Sequence, residues 1–240
     1  MNRLVADYET SRSGILQSGT LPLIRNLSFT VAEPNFVAIL GHNGCGKTTL
    51  FKALTGQLPY QGDIFLCRQS VRTVRNPARS GLVATLEQKN TVGFPVRVMD
   101  LVVMGRFRTK RTFEPYHAGD YAAAATALED LRMGHAGEKD FRLLSGGEQQ
   151  LVWLAQLMLQ DARIYLLDEP TQQLDVRNKK RVFDWMQGWV QQRKTVLCIT
   201  HDIHNLLGME GCLLNLSEAE PALKPLTPAS VGEALEILER

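Results

Sequence analysis

A glycine-rich segment early in the chain has the residue types and spacing that bind phosphate groups. Gly41-His42-Asn43-Gly44-Cys45-Gly46-Lys47-Thr48 follows an apolar run and fits the pattern G-x-x-x-x-G-K-S/T. Glycines let backbone N–H groups point inward at phosphate oxygens, and a helix N-terminus favours anions. We expect Lys47 to contact the β- and γ-phosphates of ATP and Thr48 to bind Mg²⁺. The predicted ATP-binding residues are Gly41, His42, Asn43, Gly44, Cys45, Gly46, Lys47, Thr48 and Thr49.

Two adjacent acidic residues follow a second apolar run, at residues 164–167. A buried strand at this position would deliver Asp168 and Glu169 at its carboxyl end. We expect Asp168 to hold Mg²⁺ and Glu169 to orient and deprotonate the water that attacks the γ-phosphate. Alone, the pair would be interpreted as a solvated acidic turn before Pro170. Beside the phosphate-binding segment, it predicts ATP hydrolysis.

The hydrophobic pattern predicts the elements that position these residues. Strands are expected at 24–31, 36–40, 63–67, 82–85, 164–167 and 195–200, with a helix beginning at Lys47. Between them the pattern changes to helices, at 96–105 and at 121–133 with Asp120 as N-cap. A further helix opens at Ser145, where Ser145 and Glu148 fit a capping box. The sequence thus predicts an α/β core interrupted by a helical insert.

Composition excludes several classes of protein. The 240 residues are 44% hydrophobic and 22% charged, with a net charge of +2, as in an ordinary globular protein rather than a fibrous or disordered one. The start of the chain lacks the apolar region of a secretory signal, and no apolar run is long enough to span a bilayer. The four cysteines have no C-x-x-C spacing, which disfavours zinc and disulfides.

A short basic run, Arg106, Arg108, Lys110 and Arg111, is expected to form a solvated loop. The alternative interpretation is contact with a membrane subunit or with anionic headgroups.

A pentapeptide makes the prediction specific to one family. Leu144-Ser145-Gly146-Gly147-Glu148 resembles the LSGGQ signature of ABC-transporter ATPases, and the resemblance covers about residues 1–216. It implies a P-loop NTPase core of RecA-like type with an antiparallel β part and an inserted helical subdomain. The whole of 1–240 would be one ABC ATPase domain, with the core at 1–88 and 161–240 and the helical subdomain at 89–160. It also implies a homodimer in which the signature contacts ATP bound by the other subunit.

Further positions match landmarks of the same family. Gln88 resembles the Q-loop glutamine, which contacts Mg²⁺ and the attacking water, and His201 resembles the switch histidine that contacts the γ-phosphate. Leu174-Asp175 resembles the D-loop, which crosses the dimer interface. Tyr8 is the candidate for the aromatic residue that stacks on adenine.

The chain also departs from the common family pattern in two places. Gln149-Gln150-Leu151 replaces the usual arginine-rich stretch after the signature, and residues 217–228 lack the glycine-bearing hairpin that many cassettes have there.

The segment after Gln88 bears on the type of transporter. Residues 98–106 resemble the V-x-D-x-V-x-x-G-R segment of cassettes that import iron–siderophore, haem, cobalamin and related metal complexes. The resemblance implies an importer ATPase on the cytoplasmic face of the inner (plasma) membrane. Two permease subunits would dock near Phe94, Val96 and Met99, and a substrate-binding protein would act indirectly.

Other members of the family remain as alternatives. These are zinc or manganese importers, exporters and, least favoured, a soluble ABC protein that acts on nucleic acid or ribosomes. The last class commonly has two cassettes, a coiled-coil insert or zinc-binding cysteines, and this chain has one cassette, no heptad run and no C-x-x-C pair. No nucleic-acid partner is therefore expected.

Overall fold

The computed structural model describes residues 4–6 (backbone only), 24, 27–74, 76–88, 90–111 and 113–239. Its centre is a six-stranded sheet. In chain order the strands are β3 Phe36–Leu40, β6 Val83–Leu86, β7 Ile164–Asp168, β8 Thr195–Ile199, β9 Cys212–Asn215 and β10 Leu223–Pro225. Their spatial order is β10-β9-β3-β8-β7-β6. All neighbouring strands are parallel except β10, which runs antiparallel to β9.

The strands that lead to the predicted chemistry lie in the middle of this sheet. Every residue of β3, β7 and β8 is buried, as expected for continuous apolar runs covered on both faces. The predicted strand at 36–40 and the helix at Lys47, α1 Lys47–Leu54, are both confirmed. Because the three strands are parallel, their carboxyl ends meet at one edge of the sheet, where the following loops form the site.

Two short antiparallel pairs flank the sheet. β1 Leu4–Ala6 pairs with β2 Leu27–Phe29, and β4 Phe65–Leu66 pairs with β5 Gln69–Ser70. Within the strand predicted at 24–31, residues 27–29 form β2, and within the strand predicted at 63–67, residues 65–66 form β4, with Cys67 in the turn that follows. A mixed sheet with an antiparallel part confirms the predicted α/β class.

Helices fill the chain between β6 and β7. They are α2 Val98–Val103, α3 Ala118–Asp130 and α4 Gly146–Met158, with 3₁₀ turns at Met104–Thr109, Gly134–Ala136 and Phe141–Leu143. The three α-helices contact one another, and α4 also packs on β6. The division into core and helical subdomain at residues 89 and 160 stays a prediction.

The prediction that Asp120 is the N-cap of its helix is wrong. His117 is the N-cap, and Asp120 is the third helical residue, whose carboxylate accepts the His117 N–H at 2.9 Å. In a capping box the side chain of the third helical residue accepts the N–H of the N-cap, whereas the N-cap side chain accepts the N–H of that third residue. An acid is favoured at both positions, which explains the misplacement. Asp120 is buried, and hydrogen bonds from Lys110 and the His117 N–H lower its pKa to about 2.

The basic run that precedes α3 is not a solvated loop. The Arg108 guanidinium donates to the backbone carbonyls of Ala78 at 2.6 Å, Val83 at 2.6 Å and Gln160 at 2.5 Å. Arg106 and Lys110 both pair with Asp120, at 3.4 and 2.5 Å. Among the four basic residues, Arg111 is the exposed one. The run therefore ties the helices to one another and to β6, which the sequence analysis missed.

The end of the chain forms a hairpin and a helix. β9 and β10 are joined by a turn without glycine, and helix α7 Pro228–Leu238 follows with Thr227 as its N-cap. The remaining helices are α5 Val176–Gln191 and the short α6 Ile203–Leu206. Within the described parts of the chain, no helix has the length and apolar character needed to cross a bilayer.

Candidate active site

The glycine-rich segment forms a loop between β3 and α1 whose shape depends on its glycines. Gly44 and Gly46 have φ of 83° and 105°, in the left-handed region that side chains rarely adopt. Lys47 is buried and donates to the carbonyls of Gly41 at 2.6 Å and His42 at 3.0 Å. The Lys47 ammonium group is therefore held over the loop. A phosphate bound in the loop would replace these two carbonyls as its hydrogen-bond partner.

Two oxygen donors from distant parts of the chain meet beside this loop. The Thr48 hydroxyl donates to the Asp168 carboxylate at 2.7 Å, although the residues are 120 positions apart in sequence. Burial raises the pKa of Asp168, and the Thr48 hydrogen bond and the Lys47 charge oppose that rise. Hydroxyl and carboxylate oxygens suit Mg²⁺, which prefers few protein ligands plus phosphate oxygens. The described residues contain no cluster of three or more acidic, histidine or cysteine side chains placed to hold a metal ion.

Glu169 and His201 form the second polar contact of the site. His201 Nε2 lies 3.0 Å from Glu169 Oε1. The backbone of Glu169 is fixed by a hydrogen bond in which its N–H donates to the Ile199 carbonyl at 3.0 Å. Burial, and then the nearby charge of Asp168, raise the pKa of Glu169 to about 7. Burial and the Lys47 charge lower the pKa of His201. A carboxylate with a pKa near neutrality is suited to accept a proton from water.

These groups line one cleft of about 560 Å³ at the carboxyl edge of the sheet. Most of the predicted catalytic and phosphate-binding residues line it: Asn43, Gly44, Gly46, Lys47, Thr48, Thr49, Gln88, Asp168, Glu169 and His201. Gly41, His42 and Cys45 shape the loop without lining the cleft. A side chain at Gly41 would lie 2.5 Å from Cys45 Sγ, and the His42 N–H donates to Ser217 Oγ at 2.8 Å. Tyr8 lies outside the described residues.

The signature segment caps helix α4. Ser145 Oγ accepts the Glu148 N–H at 3.3 Å, and Glu148 accepts the Ser145 N–H at 2.9 Å, which confirms the predicted capping box. Glutamate in place of glutamine serves this cap fully. Gln150, which follows the signature, donates to the Pro170 carbonyl at 3.0 Å and so links α4 to the residue after Glu169.

Within one chain, the signature opens to a different cleft from the phosphate-binding loop. Ser145, Gly146, Gly147 and Glu148 line this second cleft together with Leu174 and Asp175. Glycine is required at 147, because a Cβ atom there would lie 2.7 Å from the backbone oxygen of Gln173. A Cβ atom at Gly146 would lie 2.0 Å from Gln173 Oε1, the end of a side chain that can move. Next to this cleft Leu143 and Val176 are 81% and 82% exposed.

The region expected to receive a permease differs from the prediction. Phe94 is exposed at 61%, but Val96 and Met99 are half-buried and pack against the helical core. The expected apolar cluster is therefore reduced to Phe94 on the surface. Met99 lies on α2 and Val96 lies two residues before it, and both side chains pack against the helical core. Docking of a permease near these residues stays a prediction.

Several residues of the segment at 98–106 have structural contacts within the helical region. Val98 and Val102 are buried, and Asp100 pairs with Arg97 at 2.8 Å. A Cβ atom at Gly105 would lie 2.2 Å from the Gln156 carbonyl on α4.

The sequence analysis also missed four residues at the phosphate-binding cleft. These are Gln172, Gln173, Lys179 and Asp202. The two glutamines directly precede Leu174, and Asp202 directly follows His201, so the sequence offered a signal for them. Lys179 belongs to no motif and gave none.

Comparison with known proteins agrees with this geometry. The family model described as ABC transporter matches residues 24–172. The chain is 34% identical to an ABC transporter ATP-binding protein of Cyanophora paradoxa over 182 residues, which cover 75% of this chain and 73% of that protein. It is 32% identical to the hemin import ATP-binding protein HmuV of Roseobacter denitrificans over 80% of this chain and 74% of the relative.

A manganese transport system ATP-binding protein, MntB of Halalkalibacterium halodurans, is 32% identical over 89% of this chain and 86% of its own length. An inward-facing ABC transporter assigned to the metal-chelate type superposes with a TM-score of 0.73 at 27% identity, covering 90% of this chain and 82% of its own. The fold predicted from the motifs is thereby confirmed. The chain belongs to the family of ABC transporter ATP-binding proteins.

Proposed function

We propose that the chain hydrolyses ATP and thereby powers an importer of metal complexes, working with separate permease subunits at the cytoplasmic face of the inner (plasma) membrane. Membership of the family implies ATP hydrolysis coupled to transport. The proposal of ATP hydrolysis rests on one observation. Two pairs of side chains in contact, Thr48 with Asp168 and Glu169 with His201, line the same cleft.

The hydrolytic step follows from the positions of these groups. The loop amides and Lys47 bind the phosphates, and Lys47 neutralises charge on the β- and γ-phosphates. Glu169 accepts a proton from water as the water oxygen bonds to the γ-phosphorus and the bond to the bridging oxygen breaks, leaving ADP and phosphate. His201 orients Glu169 and the γ-phosphate. Thr48, Asp168 and Gln88 would hold Mg²⁺, which supplies charge stabilisation for the phosphates when bound.

The raised pKa of Glu169 gives a pH-dependence that can be measured. The base must be ionised to act, so activity is lost as pH falls through a pKa of about 7 and is full above it. We expect kcat/KM for MgATP to show an ascending limb centred near pH 7. Equilibrium MgATP binding, measured over the same range, serves as the control. A limb centred near 4.5, the ordinary pKa of glutamate, would contradict the assignment.

The separate position of the signature supports a head-to-tail homodimer. A helix N-terminus with exposed glycine N–H groups is an anion site, and in one chain it faces a cleft other than the one formed by Lys47. Ser145, Gly146 and Gly147 would complete the site of the partner subunit, with Leu144 buried behind them. Leu174 and Asp175 would cross the same interface.

Phe94 is the feature that best supports docking of a permease. It is a large exposed apolar side chain that lies six residues after Gln88, which itself lines the phosphate-binding cleft. A permease helix seated there would sense closure of the nucleotide site through the segment that follows Gln88. Val96 and Met99 would support this contact from beneath rather than form it.

We expect Phe94→Glu to reduce ATP-driven uptake by roughly tenfold or more, because a charge would be buried at a docking contact. ATP hydrolysis by the isolated subunit should stay unchanged. Phe113→Glu is the matched control, since Phe113 is also an exposed phenylalanine but lies in another loop. The measurement is uptake by the complex in proteoliposomes together with the amount of permease that co-purifies. Normal uptake and co-purification with the Phe94 variant would place the docking site elsewhere.

The relatives support two candidate classes of transported substrate. The likeness to the hemin import protein and to the metal-chelate type transporter supports a metal complex. The likeness to the manganese transport protein supports the second candidate, an importer of a free metal ion. Uptake assays with a ferric siderophore, haem and Mn²⁺, using a permease that co-purifies with this chain, distinguish the two.

A further inference from the structure

The side chain that follows His201 is held by two other segments of the site. Asp202 accepts a hydrogen bond from Lys179 Nζ on Oδ1 at 2.6 Å, and it accepts another from Thr171 Oγ1 on Oδ2. Its own backbone N–H donates to Thr200 Oγ1 at 2.9 Å. Both carboxylate oxygens are thus engaged by residues outside the His201 loop.

These partners come from the segments that carry the other predicted functions. Thr171 is fully buried and lies two residues after Glu169. Lys179 lies on the first turn of α5, where its N–H donates at 2.8 Å to the carbonyl of Asp175, the N-cap of the helix. Asp202 is therefore the point where the loops of Glu169, His201 and the D-loop are joined.

We propose that Lys179 is a positioning residue, which acts through Asp202 to hold His201 in contact with Glu169. The inference rests on the proposed hydrolytic function and adds a residue that none of the motifs contains. Because α5 begins at Asp175, a shift of the D-loop against a partner subunit would be passed through Lys179 to His201. The ion pair is only partly exposed, with 30% and 20% of the two side chains accessible, so it is not a freely solvated surface pair.

The test compares steady-state ATP hydrolysis by the full chain with Lys179→Met, Lys179→Arg and the exposed neighbour Lys180→Met as matched control. We expect Lys179→Met to lower kcat by roughly 10- to 100-fold with little change in KM, because His201 is misplaced while the phosphate-binding loop is intact. Lys179→Arg should restore kcat to within about threefold, because the charge and the hydrogen bond to Asp202 remain. Lys180→Met should behave as the unaltered chain.

The double variant Lys179→Met/Asp202→Asn keeps the test valid if the single variant unfolds, since it leaves no unpaired charge. Its kcat should stay low with an unchanged KM, because the link from α5 to the His201 loop is still missing. An unaltered kcat in Lys179→Met would overturn the inference, as would a low kcat that arginine fails to rescue. An inactive unaltered chain would instead overturn the proposed function.

Discussion

Glu169→Gln should bind MgATP normally and hydrolyse it about 10²- to 10⁴-fold more slowly, because the amide cannot accept the proton of the attacking water. The side chain keeps its shape, so the loop of Glu169 and the contact with His201 should persist. ATP that is bound but not cleaved would remain between two subunits. The variant should therefore form a stable dimer with MgATP, and analytical ultracentrifugation with and without nucleotide measures it.

Thermal unfolding of the same variant gives an independent check. The raised pKa means that the folded state favours the protonated carboxyl group, so ionised Glu169 destabilises the fold as pH rises through about 7. A neutral glutamine removes this cost, and Glu169→Gln should melt at a higher temperature than the unaltered chain at pH 8 but not at pH 5. Near-normal hydrolysis by the variant would rule out Glu169 as the base.

The second large effect separates binding of ATP from assembly of the complete site. Lys47→Ala removes a buried charge that would contact two phosphates, so affinity for MgATP should fall by roughly 10- to 100-fold. Lys52→Ala, on the exposed face of the same helix, is the matched control. Binding is measured by titration calorimetry.

Ser145→Arg should leave the binding of MgATP intact and prevent assembly of the complete site. Ser145 lines the cleft of the signature rather than the one that contains Lys47, so MgATP binding by a single subunit should be preserved. A bulky cation at the interface should abolish both ATP-dependent dimerisation and hydrolysis. Equal losses of binding in the Lys47 and Ser145 variants would show that the signature acts within its own chain.

Contiguous motifs explain why so much of the site was predictable. The loop at 41–49, the acids Asp168 and Glu169 and the capping box at Ser145 each depend on residues a few positions apart, so their spacing survives in the sequence. A buried strand before the loop and before the two acids also fixes their places at the carboxyl edge of the sheet. The pattern thus placed the catalytic groups without any tertiary information.

The parts that sequence could not predict depend on contacts between distant residues. Arg108 meets carbonyls that lie 25, 30 and 52 positions away, and nothing in a basic run indicates such partners. Lys179 and Asp202 are 23 positions apart and belong to no motif. Val96 and Met99 looked like a surface cluster with Phe94 because hydrophobicity does not reveal whether an apolar side chain near a helix start faces the core. These errors arose where tertiary packing decides.

Mixing two inactive variants tests the head-to-tail arrangement most directly. Lys47→Ala has an intact signature and a defective ATP-binding loop, and Ser145→Arg has the reverse. A mixed head-to-tail dimer therefore contains one site in which both halves are intact. Neither variant can form a complete site with a second copy of itself. We therefore predict that an equimolar mixture recovers hydrolysis through the mixed dimer alone, at up to roughly half the rate of the unaltered chain, although each variant alone is inactive. A mixture as inactive as its separate components would contradict the shared site and, with it, the central claim.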